Sequence, residues 1–355
     1  SNDLFTAAYR WMGHLRGGLA SATIAACAGF AALSGSSLAS AITMGRVALP
    51  EMKRYKYSDS LSTASVAAGG TLGFLIPPSA GMVIYAVLTE QSVGRLFMAG
   101  VIPGIILTVL FIGAIYLTVL KNPSAGPPGK RATKNERWKS LTRSLPILAV
   151  VFLTIGGMYT GFFTPVEASS VGAFLTFIVA AWRQSLTFKA SCEVILQTMS
   201  ATATVFLIII GAFVFIPFMA ITEVPAQLVS ILTSLPLGDV GILFLIILAY
   251  VLLGMFLESI AMLVLTIPIV IPIAVGLNWD LIWFGIIIVI VLEMGMITPP
   301  VGINVFIVKS LVPDVPMGQI FRGIWPFWFA MVIMLVLLVF FPKIALFLPQ
   351  TIVGS

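Results

Sequence analysis

The stretch Gly-Phe-Leu-Ile-Pro-Pro-Ser-Ala-Gly, residues 73–81, has a counterpart in Gly-Met-Ile-Thr-Pro-Pro-Val-Gly, residues 295–302. A shift of 222 residues, from 73 to 295, superimposes one stretch on the other without a gap. The same shift places Ser37 on Ser259, far upstream of the two stretches. The chain therefore contains an internal repeat of a large unit, and not merely of one motif.

Each copy places a Pro-Pro pair inside an apolar segment long enough to cross a bilayer. Proline has no N–H and its ring clashes with the preceding turn, so a helix must break there. The break removes the helical donors of four carbonyls, those of Gly73, Phe74, Gly295 and Met296. In hydrocarbon such a break persists only where protein, water or an ion supplies a partner. Broken helices at corresponding positions of two repeats are typical of the binding site of a secondary transporter.

The composition indicates an all-α integral membrane protein. The 355 residues are 59% hydrophobic and only 9% charged, whereas soluble domains carry about 25% charged residues. The net charge of +6 does not indicate a nucleic-acid partner, because the basic residues lie in short loops, where they report orientation in the membrane. Cys27 and Cys192 have no metal-ligand spacing and are predicted to be two packed thiols without a disulfide.

The first repeat is predicted to occupy residues 1–120. It contains a basic amphipathic stretch along the membrane interface, a re-entrant helical hairpin at 17–48 with Ser-Gly-Ser-Ser at its tip, and a broken helix at 60–88. Residues 121–144 are predicted to form a cytoplasmic loop, because they contain seven basic residues and one acid. The lone histidine, His14, is predicted to be an interfacial side chain.

The second repeat is predicted to occupy residues 145–355. The loop before its hairpin contains acids but no Lys or Arg, so this hairpin enters from outside and the topology is inverted relative to the first repeat. Scaffold helices equivalent to those of the second repeat would precede residue 1, as on the order of 70 further residues. The predicted elements are scaffold helices at 145–220, a hairpin at 240–275, a broken helix at 281–308 and a final helix at 324–341.

The two hairpin tips and the two breaks are predicted to meet near the middle of the membrane. The carbonyl end of each first half-helix suits a hard cation such as Na⁺, and the N–H end of each second half-helix suits a carboxylate. We therefore predict sites for two cations and an organic anion. The candidate residues for substrate binding are Ser36, Ser37, Ser79, Ser259, Thr298 and Asn304.

Several of these side chains have a simpler structural interpretation. A serine at a hairpin tip is often only an N-cap, and Glu258 is either a functional acid at membrane depth or a cap of the return arm. Glu293 either binds a cation or a proton, or accepts a bond from a neighbouring helix. The sequence shows no catalytic motif and no Walker loop, so the chain is predicted not to be an enzyme. A membrane enzyme would have to rely on Glu258 and Glu293.

The sequence resembles the large membrane subunit of the tripartite ATP-independent periplasmic (TRAP) transporters, in the ion transporter superfamily. The motifs that carry the resemblance are spread over nearly the whole chain. They are Gly13–Ala20, Ser34–Ser37, Gly70–Ser79, Val93–Gly104, Thr164–Ala173, Leu252–Ser259 and Gly295–Phe306.

The resemblance implies a multi-pass protein of the bacterial inner membrane that imports organic acids, such as dicarboxylates, by sodium symport and an elevator mechanism. It implies two partners, a periplasmic substrate-binding protein and a small four-helix membrane subunit, and no organic cofactor. A stand-alone Na⁺-coupled carboxylate carrier of the same superfamily is the alternative.

The resemblance also implies where Na⁺ binds. The family usually has Asp at the second tip, where this chain has Glu258, which changes the reach of that ligand. The implied cation ligands are Ser34, Gly35, Ser37, Gly73, Ile76 and Pro77 at the first tip and break, and Glu258, Ser259, Gly295, Thr298 and Pro299 at the second.

Overall fold

The computed structural model describes residues 2–183, 186–234 and 236–351. Within these ranges the chain forms sixteen α-helices, a short 3-10 turn at Pro123–Ala125 and no β-strand. The last residues of the predicted second repeat, 352–355, lie outside the described part. The helices are α1 (Asn2–Met12), α2 (Gly18–Ser34), α3 (Ser37–Arg54), α4 (Asp59–Leu75), α5 (Ala80–Thr89), α6 (Val93–Lys121), α7 (Lys134–Tyr159), α8 (Pro165–Trp182), α9 (Phe188–Ile221), α10 (Val224–Ser234), α11 (Gly238–Gly254), α12 (Ser259–Gly276), α13 (Leu281–Gly295), α14 (Ile303–Leu311), α15 (Met317–Phe340) and α16 (Lys343–Thr351).

The prediction of an all-α membrane protein is confirmed. In the described part, seven helical segments are long and apolar enough to cross a membrane, one of them the α4–α5 segment Asp59–Thr89. Three further apolar helices, α2, α11 and α13, have only 15 to 17 residues. A straight crossing takes about 20 residues, so these three are short for a complete span on their own.

Both predicted hairpins are pairs of helices joined by a short connection. Helices α2 and α3 meet at Gly35 and Ser36, and α3 continues to Arg54, six residues beyond the predicted end. Helices α11 and α12 are joined by residues 255–258, close to the predicted limits of the second hairpin.

Both predicted helix breaks are present. Helix α4 ends at Leu75 and α5 begins at Ala80, so the first Pro-Pro pair lies between two helices. Helix α13 ends at Gly295 and α14 begins at Ile303, with the second pair between them. Both Pro-Pro peptide bonds are cis.

Three predicted boundaries differ from the structure. The loop predicted at 121–144 is shorter, because a capping box between Thr133 and Glu136 starts α7 at Lys134. The scaffold region predicted at 145–220 begins inside α7 and ends one residue before the end of α9, at Ile221. The predicted final helix begins earlier, at Met317.

The first halves of the two broken helices form the centre of the protein. Every residue of α4 from Leu61 to Leu75 is buried, and so is every residue of α13 from Ile282 to Gly295. A helix that is apolar on all sides belongs in such a core. Helix α8, in contrast, buries only Ala168. The Pro-Pro breaks therefore lie at the ends of the two most enclosed helices.

The two broken helices run in opposite directions. At one end, the Tyr85 hydroxyl of α5 donates a hydrogen bond of 2.7 Å to the carbonyl of Leu281, the first residue of α13. At the other end, Asp59 of α4 and Leu311 of α14 line one cavity of about 460 Å³. The start of each broken helix thus lies beside the end of the other, as expected for two repeats of opposite orientation.

Candidate functional site

The first hairpin tip is shaped by one glycine and one capping serine. Gly35 ends α2 in the left-handed region, with φ of 60°, and its N–H donates to the Ala31 carbonyl. The Ser36 hydroxyl caps α3 by accepting a bond of 3.3 Å from the Ala39 N–H. Ser34 is bonded to the Ser40 hydroxyl at 2.7 Å. The tip therefore presents several hydroxyl and carbonyl oxygens within a few residues.

This tip packs directly against the first break. The Ala80 N–H donates a bond of 3.2 Å to the Gly35 carbonyl. A Cβ atom at Gly73 would lie 2.5 Å from the Ser36 carbonyl oxygen, and one at Gly35 would lie 2.8 Å from the Pro78 carbonyl oxygen. Only residues without a side chain allow this approach, because real Cβ atoms do not come so close to an oxygen.

One of the two carbonyls freed at the first break has found another donor. The Ser79 hydroxyl donates a hydrogen bond of 2.6 Å to the Phe74 carbonyl. It also accepts a hydrogen bond of 3.4 Å from the Met82 N–H, so it caps α5 as well. This bond agrees with the prediction that a partner other than the helix itself satisfies a carbonyl freed at the break. The Gly73 carbonyl receives no such bond within the described part of the chain, and it lies at the carbonyl end of α4 beside the tip.

The second hairpin tip uses an acid as its cap. Glu258 accepts bonds of 2.9 and 3.2 Å from the N–H groups of Ile260 and Ala261. The capping interpretation of Glu258 thus describes its contacts in the structure. The tip is held to the second break by close packing of α11 on α13, where a Cβ atom at Gly295 would lie 2.6 Å from the Gly254 Cα atom.

Both carbonyls freed at the second break have replacement donors within the protein, as predicted for helix ends that lose their helical partners inside a membrane. The Thr298 N–H donates to Gly295 at 2.9 Å, and the Asn304 N–H donates to Met296 at 3.1 Å. The Thr298 hydroxyl donates a hydrogen bond of 2.6 Å to the Met294 carbonyl and accepts one of 3.1 Å from the Trp328 indole N–H. The chain at this break is therefore held in one conformation by backbone and side-chain bonds.

A single buried carboxylate joins the two hairpins. Glu293, in the last turn of α13, is 1% exposed and accepts a bond of 3.2 Å from the Ser259 hydroxyl at the second tip. The Ser37 hydroxyl at the first tip interacts with the same carboxyl group. Ser37 and Ser259, which the repeat superimposes, are thus brought together at one acid.

The comparisons with known proteins agree with this arrangement. The family described as tripartite ATP-independent periplasmic transporter, DctM component, matches residues 1–344. The chain belongs to this transporter family. It is 36% identical to the C4-dicarboxylate TRAP transporter large permease protein DctM of Pseudomonas aeruginosa, over 96% of this chain and 79% of that protein.

Two further relatives carry other substrate names, and this chain covers a similar share of each. The sialic acid TRAP transporter large permease protein SiaM of Vibrio cholerae is 33% identical over 99% of this chain and 82% of that protein. The ectoine/5-hydroxyectoine large permease protein UehC of Ruegeria pomeroyi is 32% identical over 95% of this chain and 78% of that protein. These relatives are permeases and not enzymes. As a member of the family, the chain is a secondary-transport permease of the bacterial inner membrane that works with a small membrane subunit and a periplasmic binding protein.

Most of the candidate residues of this TRAP permease are enclosed. Of the six proposed to bind substrate, only Ser36 is partly exposed, and the other five are buried. Ile76 and Pro77 lie in the first connection and Pro299 in the second.

Three residues with contacts at the tips and breaks are absent from the predicted candidates. Glu293 is an isolated acid in an apolar run, a pattern that allows either a functional or a structural role. Ser40 lies one helical turn after Ser36, a spacing that places both on one side of α3. Trp328 has no signal in the sequence, because it contacts Thr298 from 30 residues away.

Proposed function

We propose that this permease is a sodium-coupled importer of an organic acid, which a periplasmic binding protein delivers. The observation that carries the proposal is that each hairpin tip lies on the helix break of its own repeat, and that both tips reach one buried carboxylate. Such a centre is built from oxygen atoms and helix ends, which suit a cation and an anion bound together.

The first proposed Na⁺ site lies between the first tip and the first break. The Gly73 carbonyl, at the negative end of the α4 dipole, is its central ligand. Hydroxyl and carbonyl oxygens of the tip surround it, since Ser36 approaches Gly73 and Gly35 is bonded to Ala80. The proposed ligands are Ser34, Gly35, Ser37, Gly73, Ile76 and Pro77.

The second proposed Na⁺ site repeats this arrangement at α13. The Gly295 carbonyl accepts one bond from Thr298, and a carbonyl oxygen has a second lone pair for a cation. Trp328 fixes the Thr298 hydroxyl, leaving one of its lone pairs for the same purpose. The proposed ligands are Glu258, Ser259, Gly295, Thr298 and Pro299.

The substrate is proposed to be an organic acid held without a Lys or Arg partner. Asn304 is fully buried, and neither polar atom of its side chain has a hydrogen-bond partner. Its amide N–H₂ is therefore a donor available to a carboxylate at the start of α14. The proposed site also includes Ser36, Ser37, Ser79, Ser259 and Thr298, and because most of these are buried, a hairpin must move before the acid reaches them.

An elevator movement is proposed to provide this access. The hairpins and broken helices of 1–120 and 240–308 would move against the scaffold helices of 145–220. A cavity of about 630 Å³ separates the two bodies on one side, bordered by Leu33 and Pro78 near the first tip and by Thr154 and Ser169 of α7 and α8. The small subunit is proposed to have four helices and to brace this scaffold.

Reconstitution tests the proposal directly. Proteoliposomes that contain this permease and its small subunit are given radiolabelled succinate or sialic acid, with the binding protein outside and either a Na⁺ or a K⁺ gradient. We expect uptake of one of the acids only with both the Na⁺ gradient and the binding protein. Equal uptake without Na⁺ would refute the coupling. Uptake without the binding protein would favour the stand-alone carrier.

A further inference from the structure

A purely structural role does not account for the hydrogen bonding of the Glu293 carboxylate. Its Oε1 atom accepts from Ser259, whose hydroxyl also lies 2.6 Å from the Met296 sulfur atom. Its Oε2 atom is buried and has no hydrogen-bond partner. A buried carboxylate acting only as a structural acceptor would normally have both oxygens paired. One oxygen is therefore available to a further ligand inside the protein.

No basic side chain balances this acid. None of the four ion pairs in the described residues includes Glu293, and each of them lies at the periphery of the protein. The charged side chain that acts on Glu293 is Glu258, which has the same sign. Burying an unpaired charge costs far more than burying a neutral polar group. The surroundings of Glu293 thus favour neutralisation of its charge, by a cation beside it or by a proton.

The buried carboxylate of Glu293 occurs in the second repeat only. The 222-residue shift places Glu293 on Thr71, which is also buried but whose hydroxyl is bonded to the Ala68 carbonyl of its own helix. The first repeat therefore brings a serine to the centre but no acid. One carboxylate serves both tips, and its position is asymmetric in an otherwise repeated structure.

We propose that Glu293 ligates a monovalent cation that both hairpin tips share, in addition to the cation site proposed at each tip. The inference rests on the proposed Na⁺ coupling and deepens it. A single carboxylate with neutral hydroxyl partners matches one positive charge, and Glu258 is already engaged by two N–H groups at its helix N-terminus. A cation at Glu293 draws Ser37 and Ser259 together, so that its binding closes both hairpins at once.

Thermal unfolding of the purified complex with its small subunit tests this without any transport. The melting temperature is measured in detergent while NaCl replaces choline chloride at constant ionic strength. Glu293→Gln keeps the shape of the side chain and an acceptor for Ser259 but removes the charge. In the absence of Na⁺ the variant should melt at the same temperature as the wild type or higher, because an unpaired buried charge has been removed.

As the Na⁺ concentration rises, the order of the two melting temperatures should reverse. The wild type should gain stability, while the Na⁺ midpoint of Glu293→Gln should rise by about tenfold or more, the factor for losing a charge-assisted contact. Glu167→Gln, which changes an exposed capping acid on α8, is the matched control and should keep the wild-type midpoint. Glu293→Asp, which keeps the charge, should retain a Na⁺ response.

Results that contradict this inference can be told apart from results that contradict the proposed function. If the wild type responds to Na⁺ and Glu293→Gln has the same midpoint, the inference is wrong but the proposed function stands. A Glu293→Gln protein that is less stable than the wild type even without Na⁺ would show a structural acceptor and overturn the inference. If the wild type responds to Li⁺ or K⁺ but not Na⁺, and Glu293→Gln loses that response, the shared site stands and sodium coupling fails. Stabilisation by no cation would refute both.

Discussion

The indole N–H of Trp328 donates a hydrogen bond of 3.1 Å to the hydroxyl of Thr298. Trp328 belongs to α15, whereas Thr298 lies in the break between α13 and α14. The Thr298 hydroxyl donates its own hydrogen bond to the Met294 carbonyl. The bond from the indole therefore occupies one lone pair of the hydroxyl oxygen and fixes the direction of the other. A helix that contributes no proposed ligand thus positions one at the second proposed Na⁺ site.

Replacing Trp328 by Phe should weaken the response to Na⁺. The ring is kept but the donor is lost, which costs about 1 kcal/mol for a neutral hydrogen bond and corresponds to about a fivefold change in affinity. The Na⁺ midpoint for uptake into proteoliposomes measures the effect. Trp325→Phe, at an exposed position on the same helix, should leave the midpoint unchanged. Equal midpoints in all three proteins would show that the bond does not orient a ligand.

Ser37→Ala and Ser259→Ala should weaken Na⁺ dependence more than they reduce expression. Ser259→Ala removes the hydroxyl that donates to Glu293, and Ser37→Ala removes the equivalent hydroxyl of the first repeat, which interacts with the same carboxyl group. The measurement is the Na⁺ midpoint of uptake, together with the amount of protein in the membrane. Ser65→Ala is the control, because this buried serine bonds only to the Leu61 carbonyl in its own helix among the described contacts. Loss of protein with an unchanged midpoint would make both serines structural.

Gly73→Ala should separate the first tip from the first break. The added Cβ atom would lie 2.5 Å from the Ser36 carbonyl and 2.7 Å from the Ser40 hydroxyl, so one element must move. We expect loss of Na⁺-dependent uptake and a lower melting temperature. Gly113→Ala, inside α6 with no neighbour within 4 Å, should instead stabilise the protein by about 1 kcal/mol through helix propensity. Normal uptake by Gly73→Ala would contradict the close approach at the tip.

Asn304→Asp should separate substrate binding from cation binding. The change replaces a buried amide donor by a negative charge, which repels a carboxylate and attracts Na⁺. Uptake of the acid should fall by about tenfold or more, a typical factor for losing a bond to a charged group. The stabilisation by Na⁺ in thermal unfolding should remain. If the variant transports normally, Asn304 does not contact the substrate; Asn304→Leu, which adds no charge, should also lower uptake.

The sequence by itself determined the membrane class, the two hairpins and the two broken helices. Proline chemistry acts locally, so Pro77-Pro78 and Pro299-Pro300 end a helix wherever they occur, and the structure has a break at each. The repeat also indicated which serines are equivalent. These properties depend on the order of residues along the chain and on the low polarity of the membrane, and neither requires a knowledge of packing.

Only the tertiary structure decided which polar groups are satisfied. The carbonyls of Phe74, Gly295 and Met296 were predicted to lose their helical donors, and each accepts its new bond from a residue three to eight positions later in the chain, folded back over the break. The position of Glu293 between Ser37 and Ser259, and of Trp328 beside Thr298, depends on how distant helices pack. A pattern of residues fixes where a helix stops, but the partners of an exposed carbonyl or a buried acid are set by the three-dimensional approach of segments far apart in sequence.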